Sequence, residues 1–160
     1  MRLATYDIEM DASGMVYSFV SEGPQGRIPK LIKYSKMGKG RIFNLGFGDI
    51  DARSGGINDL SRSDNGDTDM VLATVVQTVL VFTTLHPGSL IFAKGSTAAR
   101  TRLYQMGIRR HLEEIQRDFD VFGLIGETWE AFDIGRRYHA FIAERRPLEP
   151  ENTKKGEGNE

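Results

Sequence analysis

The chain has 160 residues, with 21 Lys plus Arg against 22 Asp plus Glu, a formal net charge of -1 and no cysteine. That length suits one domain with a true core, and 39% hydrophobic with 27% charged residues is the balance of a globular chain rather than a disordered one. The composition excludes a disulfide scaffold, thiolate zinc sites and a Cys nucleophile, no apolar run approaches the roughly 20 residues of a membrane span, and MRLATYDIEM lacks the apolar stretch of a secretory signal.

Strands dominate the first half. Met15 to Val20 and Ile28 to Tyr34 flank SEGPQG, whose Gly and Pro supply turn chemistry. A third strand is expected over Arg41 to Phe47, after the basic turn SKMGKG, and a short fourth over Ile57 to Ser61. These are antiparallel hairpin spacings. DNGDTD then introduces a stretch rich in Val and Thr, where local propensity favours strand. Length, acids at the start and the recurrence of Val71, Val75, Val79 and Phe82 favour helix over Met70 to Leu85, capped by Asp67 or Thr68 and closed at His86-Pro87-Gly88.

Ser89 to Lys94 is a short buried strand, and Gly95-Ser96-Thr97 leads into a second helical region with Ala99, Leu103 and Met106 expected inward. Gly107 breaks that phase, and Ile108, Leu112, Ile115 and Phe119 resume it, as two short helices or one kinked helix. Val121 to Ile125, Thr128 to Ile134 and Arg137 to Ala143 complete the strands. The expected fold is α+β: a mostly antiparallel sheet of about seven or eight strands packed against two main helical regions. It forms a single domain over residues 1–146, with a disordered polar tail over 147–160.

The segment KGSTAARTRLY holds the sharpest chemical signal. A buried strand feeds a Gly-Ser-Thr turn and a helix start, which offers backbone N–H groups, hydroxyls and guanidiniums to a phosphate or carboxylate. The residues of this ligand- or phosphate-binding site are Lys94, Gly95, Ser96, Thr97, Arg100, Arg102 and Tyr104. The plainer reading makes the hydroxyls a helix cap and the arginines solvated. No Walker loop is present.

A second candidate surface is nucleic-acid-binding: Lys33, Lys36, Lys39, Arg41 and Phe43, beside Lys30 and Tyr34 on hairpin strands. Bases and aromatics on one sheet face serve single-stranded nucleic acid, whereas a core Phe with solvated edge lysines is the plain alternative. Asp64-Asn65-Gly66-Asp67 fails the EF-hand pattern and reads as a capping turn, although Asp59, Asp64, Asp67 and Asp69 could gather a divalent ion; no metal site and no cofactor are assigned. Gly46 and Gly48 in FNLGFGD lack a dinucleotide fingerprint and point to a bulge or a close backbone approach. His86 is expected as a helix C-cap, and His111 and His139 stand alone.

The runs YSFVSEGPQGRIPKLIKYS, FNLGFGD, DNGDTDMVLATVVQTV and IFAKGSTAARTRLYQMGI resemble a family of small uncharacterised bacterial proteins, a domain of unknown function. The resemblance implies a cytoplasmic bacterial α+β domain and carries over no catalytic residue. Four strands followed by a helix, with the turn KMGKGRIFNLGF, is also similar in topology to PUR-alpha and whirly-type single-stranded nucleic acid binders. The expected function is a binding module for nucleic acid or a phosphorylated ligand. The alternative is an enzyme acting on phosphate esters or nucleotides, such as the toxin of a toxin–antitoxin pair, with Asp64 and Asp67 on a metal, Arg100 and Arg102 on developing charge, and Tyr104 or His111 moving protons. Expected partners are single-stranded nucleic acid or a phosphorylated small molecule, with a homodimer or a small protein partner as further expectations, and no membrane.

Overall fold

A computed structural model describes residues 4–58 and 64–147. Among these residues nine strands and three helices follow one another in the order β1 (Glu9–Met10), β2 (Val16–Gly23), β3 (Gly26–Lys36), β4 (Ile42–Ile50), β5 (Ile57–Asn58), α1 (Thr68–Leu85), β6 (Leu90–Ala93), α2 (Ala98–Arg110), α3 (Leu112–Ile115), β7 (Phe119–Ile125), β8 (Thr128–Ala131) and β9 (Ala140–Arg145). They form an α+β domain around one open sheet of order β1-β2-β3-β4-β6-β9-β7-β8, with β5 paired to β4. Every strand pair is antiparallel except β4 with β6, which α1 connects as a crossover. The expected tail over 147–160 and the distal part of the strand over Ile57 to Ser61 lie outside the described residues, apart from Pro147, Ile57 and Asn58.

Register fixes which residues meet the helices. On β2 and β3 the phase carrying Tyr17, Phe19, Ile32 and Tyr34 is buried, because Tyr17 opposes Ile32 and every second residue shares its face. α1 lies on this face, where Phe82 stacks on Tyr34 at 4.2 Å between centroids and meets Phe43 edge-on at 5.1 Å. Burying a side chain of that size stabilises the fold by roughly 1.5–3 kcal/mol. Against the expectation that no apolar run approaches a membrane span, α1 is long and apolar enough to cross one by length and composition alone, yet its Val71, Val75, Val79 and Phe82 pack into this core. Its Thr74, Thr78 and Thr83, which weaken helix propensity, return their hydroxyls to backbone carbonyls of the preceding turn, so burial leaves them satisfied.

Asp67 is the N-cap of α1, but its carboxylate does not cap. Oδ2 instead accepts from the Tyr6 hydroxyl and from Ser21 Oγ, both at 2.6 Å, tying the N-terminal segment and β2 to the helix start. Burial and this bond to Asp67 together raise the Tyr6 phenol above its ordinary range. Asn65, 3% exposed, donates to Ser21 Oγ and the Gly26 carbonyl and accepts from Gln25 N–H. The stretch of acids and glycine before α1 is therefore a clasp on the β2–β3 hairpin.

The second helix corrects the expected phase. Ala99, Leu103 and Met106 are exposed, and the buried positions are Thr101, Gln105 and Gly107. The helix docks through polar groups: Thr101 Oγ1 accepts from Gly95 N–H, and Gln105 clasps the backbone at Arg136 and Tyr138. Gly107 does not break the helix. A Cβ there would stand 2.3 Å from Leu72 Cδ1, so glycine permits close packing of α2 on α1, and α2 runs on to Arg110. Towards the C-terminus, β8 ends at Ala131 rather than residue 134, and the last strand begins at Ala140 rather than 137. Between them Tyr138, 3% exposed, packs under Gly123, where a Cβ would fall 2.3 Å from its ring.

Candidate functional site

β4 outlasts its neighbour. β6 pairs with β4 only from Ile42 to Leu45, and β5 joins the same edge at Asp49 and Ile50. The gap between them is filled by the turn and helix that follow β6. There Arg100 Nη1 donates to the Phe47 carbonyl at 3.3 Å, so the guanidinium serves a strand carbonyl at the point where β6 has left the sheet. The two glycines of FNLGFGD permit the close approach expected of them. A Cβ on Gly48 would lie 2.7 Å from Ile57 Cγ2, and one on Gly46 3.3 Å from Ile57 Cδ1. β5 thus folds Ile57 over a strand face that has no side chains of its own at those positions.

Around this gap a pocket of about 320 Å³ is lined by Lys33, Ser35, Asn44, Leu45, Gly46, Phe47, Ile57, Lys94, Ser96, Arg100 and Tyr104. Three cationic side chains, three hydroxyls and an amide converge there, and no carboxylate lines it among the described residues. Lys33, Ser35 and Asn44 arrive together because β3 and β4 pair Lys33 with Gly46 and Ser35 with Asn44 on one sheet face. Lys94 and Ser96 come from the turn after β6, and Arg100 and Tyr104 from the first turns of α2. The helix opens with Thr97 at its N-cap, accepting from Arg100 N–H at 3.2 Å, and carries no acid in its first turn. Its positive end therefore adds to the cationic field of the pocket.

A second pocket, about 270 Å³, adjoins on the other side of Arg100 and Tyr104 and is lined by Lys30, Asp49, Asp64, Asn65 and Asp67 among others. Lys30 Nζ pairs with Asp49 Oδ1 at 2.5 Å across β3 and β4, with both side chains nearly buried. This second pocket mixes charges of both signs, and its acids are engaged: Asp49 holds Lys30, Asp67 holds Tyr6 and Ser21, and Asp64 accepts from Gly66 N–H. No cluster of three His, Asp or Glu side chains that could hold a metal occurs among the described residues, and Asp59 lies outside them.

The two expected sites are redistributed. Of the phosphate-binding set, Lys94, Ser96, Arg100 and Tyr104 line the basic pocket. Thr97 is occupied as the cap, and Arg102 is exposed and lines neither pocket. Gly95 has no positive φ, and its need is steric: a Cβ would fall 2.4 Å from Thr101 N and 2.5 Å from Arg100 Cβ. Its close approach is to the helix itself. Of the nucleic-acid set, Lys33 joins the same pocket, while Lys36 and Lys39 stay exposed and Arg41 bonds the Gly88 carbonyl beside Glu144. Phe43 is turned to the helix side against Phe82 and Tyr34 is 1% exposed, so the aromatics share no solvent-facing surface with the lysines. Lys30 is likewise buried. Sequence reasoning missed Ser35 and Asn44; pairing the period-two phase of β3 with that of β4 would have placed them beside Lys33.

The fold and this pocket define a single α+β domain whose helices lie on one side of an open sheet, with a basic pocket where the β4 edge is left by β6. Residues 2–146 match the model of DUF6934, a family of unknown function, and the chain belongs to that family. No curated protein and no solved structure matches it. The topological likeness to PUR-alpha and whirly-type binders is not supported: after α1 the chain enters the same sheet in parallel at β6 and completes it with β9, β7 and β8, not with a second four-strand-and-helix unit.

Proposed function

We propose that this protein is a binding module for a phosphorylated small molecule, held in the pocket formed by Lys33, Lys94 and Arg100. The single observation that carries the reading is the convergence of these three cations with Ser35, Asn44 and Ser96 on one concavity without a lining carboxylate among the described residues. A dianionic phosphate needs several donors and a positive field, and Arg adds a planar fork while Lys adds point charge. The α2 N-terminus supports the same ligand sign.

A phosphorylated small molecule is favoured over single-stranded nucleic acid because Tyr34 and Phe43, the aromatics that stacking requires, are packed against α1. The test is thermal melting at low ionic strength with inorganic phosphate, run beside fluorescence anisotropy with labelled single-stranded DNA and RNA. Phosphate at about 10 mM raises the melting temperature by mass action, and the effect fades as chloride is added. An unchanged melting temperature with phosphate overturns the reading; tight, salt-sensitive oligonucleotide binding without a phosphate effect replaces it with a nucleic acid surface.

A further inference from the structure

We infer that the ligand is not a bare anion but an organic phosphate carrying a compact apolar body, which enters a second cavity behind the basic pocket. This inference rests on the anion-pocket reading and specifies its ligand. The cavity, about 120 Å³, lies between α1, the sheet and the α2–α3 segment. Val75, Val76 and Val79 wall it from the first helix, Ile91 and Val121 from the sheet, and Ile108 and Ile115 from the last helical segment. Protein interiors close such space when they can, because apolar atoms facing a void lose their contacts. A cavity of roughly 150 Å³ lined by Leu, Ile and Phe holds one benzene ring, so this somewhat smaller volume suits a body no larger than one such ring.

A further observation points to a ligand rather than a packing fault. Leu45, Phe47 and Tyr104 line both the apolar cavity and the basic pocket, so the two spaces share one wall. His111 also lines the cavity, with its Nε2 3.5 Å from Asp69 Oδ1. An apolar cavity that borders a cationic pocket is the pattern of a small-molecule site, mostly apolar with a few placed polar groups. The charged head would remain with Lys33, Lys94 and Arg100 while the body passes Phe47 and Tyr104.

The experiment compares inorganic phosphate with phenyl phosphate by calorimetric titration, and follows the methyl resonances of Ile91, Ile108 and Ile115, which line the cavity. Phenyl phosphate is expected to bind at least tenfold more tightly than phosphate and alone to shift those methyls. Val76→Phe, which fills the cavity from α1, is expected to remove that gain and keep phosphate affinity. Should this variant fail to fold, the methyl shifts of the unmodified protein carry the test. If phosphate binds but phenyl phosphate binds no tighter, or leaves the three methyls unmoved, the apolar-body inference is overturned and the anion pocket stands. A full gain retained in folded Val76→Phe also overturns it. If neither compound binds, both readings fall.

Discussion

Lys30 and Asp49 face each other across β3 and β4 as a nearly buried ion pair, on the helix-covered side of the sheet. The pair borders the pocket that contains Arg100, so it holds the β3–β4 register beside the site. Removing one partner strands a charge away from water. Lys30→Met is therefore expected to cost about 3–5 kcal/mol in urea denaturation, while Lys30→Met with Asp49→Leu recovers most of that loss. A single variant as stable as the unmodified protein would show that the pair is solvated in solution.

Asn65 satisfies three hydrogen bonds from one side chain and binds the β2–β3 hairpin to the start of α1. Asn65→Ala leaves the Gln25 N–H and the Gly26 carbonyl without it, with an expected loss of about 2–3 kcal/mol. Asn65→Asp is expected to recover only part, since a carboxylate accepts from Gln25 but cannot donate to Gly26. Equal stability of all three proteins in chemical denaturation would reduce the clasp to a surface turn.

Gly95 lies so close to the first turn of α2 that any Cβ meets Thr101 N and Arg100 Cβ. Gly95→Ala is expected to displace the helix start, lower stability by roughly 1–3 kcal/mol and weaken phosphate binding by moving Arg100. Thr97→Ala serves as the comparison, because it removes a cap worth about 1 kcal/mol without a steric clash. If Gly95→Ala is no worse than Thr97→Ala by melting, the tight approach is not required.

Burial pushes the phenol pKa values of Tyr34 and Tyr138 up, the first despite its bond to Thr78 and the second with help from Glu130. A phenol held neutral by the fold stabilises it fully below the unfolded value near 10, and that contribution is lost as pH rises above it. Stability is therefore expected to fall between about pH 10 and 12. Tyr34→Phe, which gives up the Thr78 hydrogen bond, is expected to be less stable at pH 8 and to lose less on going to pH 11. Parallel melting curves for the two proteins at both pH values would contradict the assignment.

Periodicity in the sequence located the core of α1, because Val71, Val75, Val79 and Phe82 are apolar where they pack, whereas on β3 Tyr34 was grouped with the lysines and instead packs beside Ile32 under α1. The inward face of α2 was hidden for the same reason in reverse. Thr101 and Gln105 dock through hydrogen bonds to backbone, while Leu103 and Met106 face outward, so an apolar count selects the wrong side. The KGST segment was legible as a strand feeding a helix start. Its partners were not, since Ser35 and Asn44 join it only through strand pairings that no local pattern encodes. The placement of Phe43 also depended on register, which set its ring against Phe82 instead of beside the lysines.

The anion pocket is tested most directly by calorimetric titration of inorganic phosphate into the unmodified protein, Arg100→Lys, the double variant Lys33→Gln/Lys94→Gln, and Arg109→Gln, whose site on α2 is exposed and outside the pocket. The account predicts binding that weakens with added salt, is unchanged in Arg109→Gln, falls in Arg100→Lys through loss of the planar fork, and disappears in the double variant. Equal heats of binding for all four proteins, or none for the unmodified one, would contradict it.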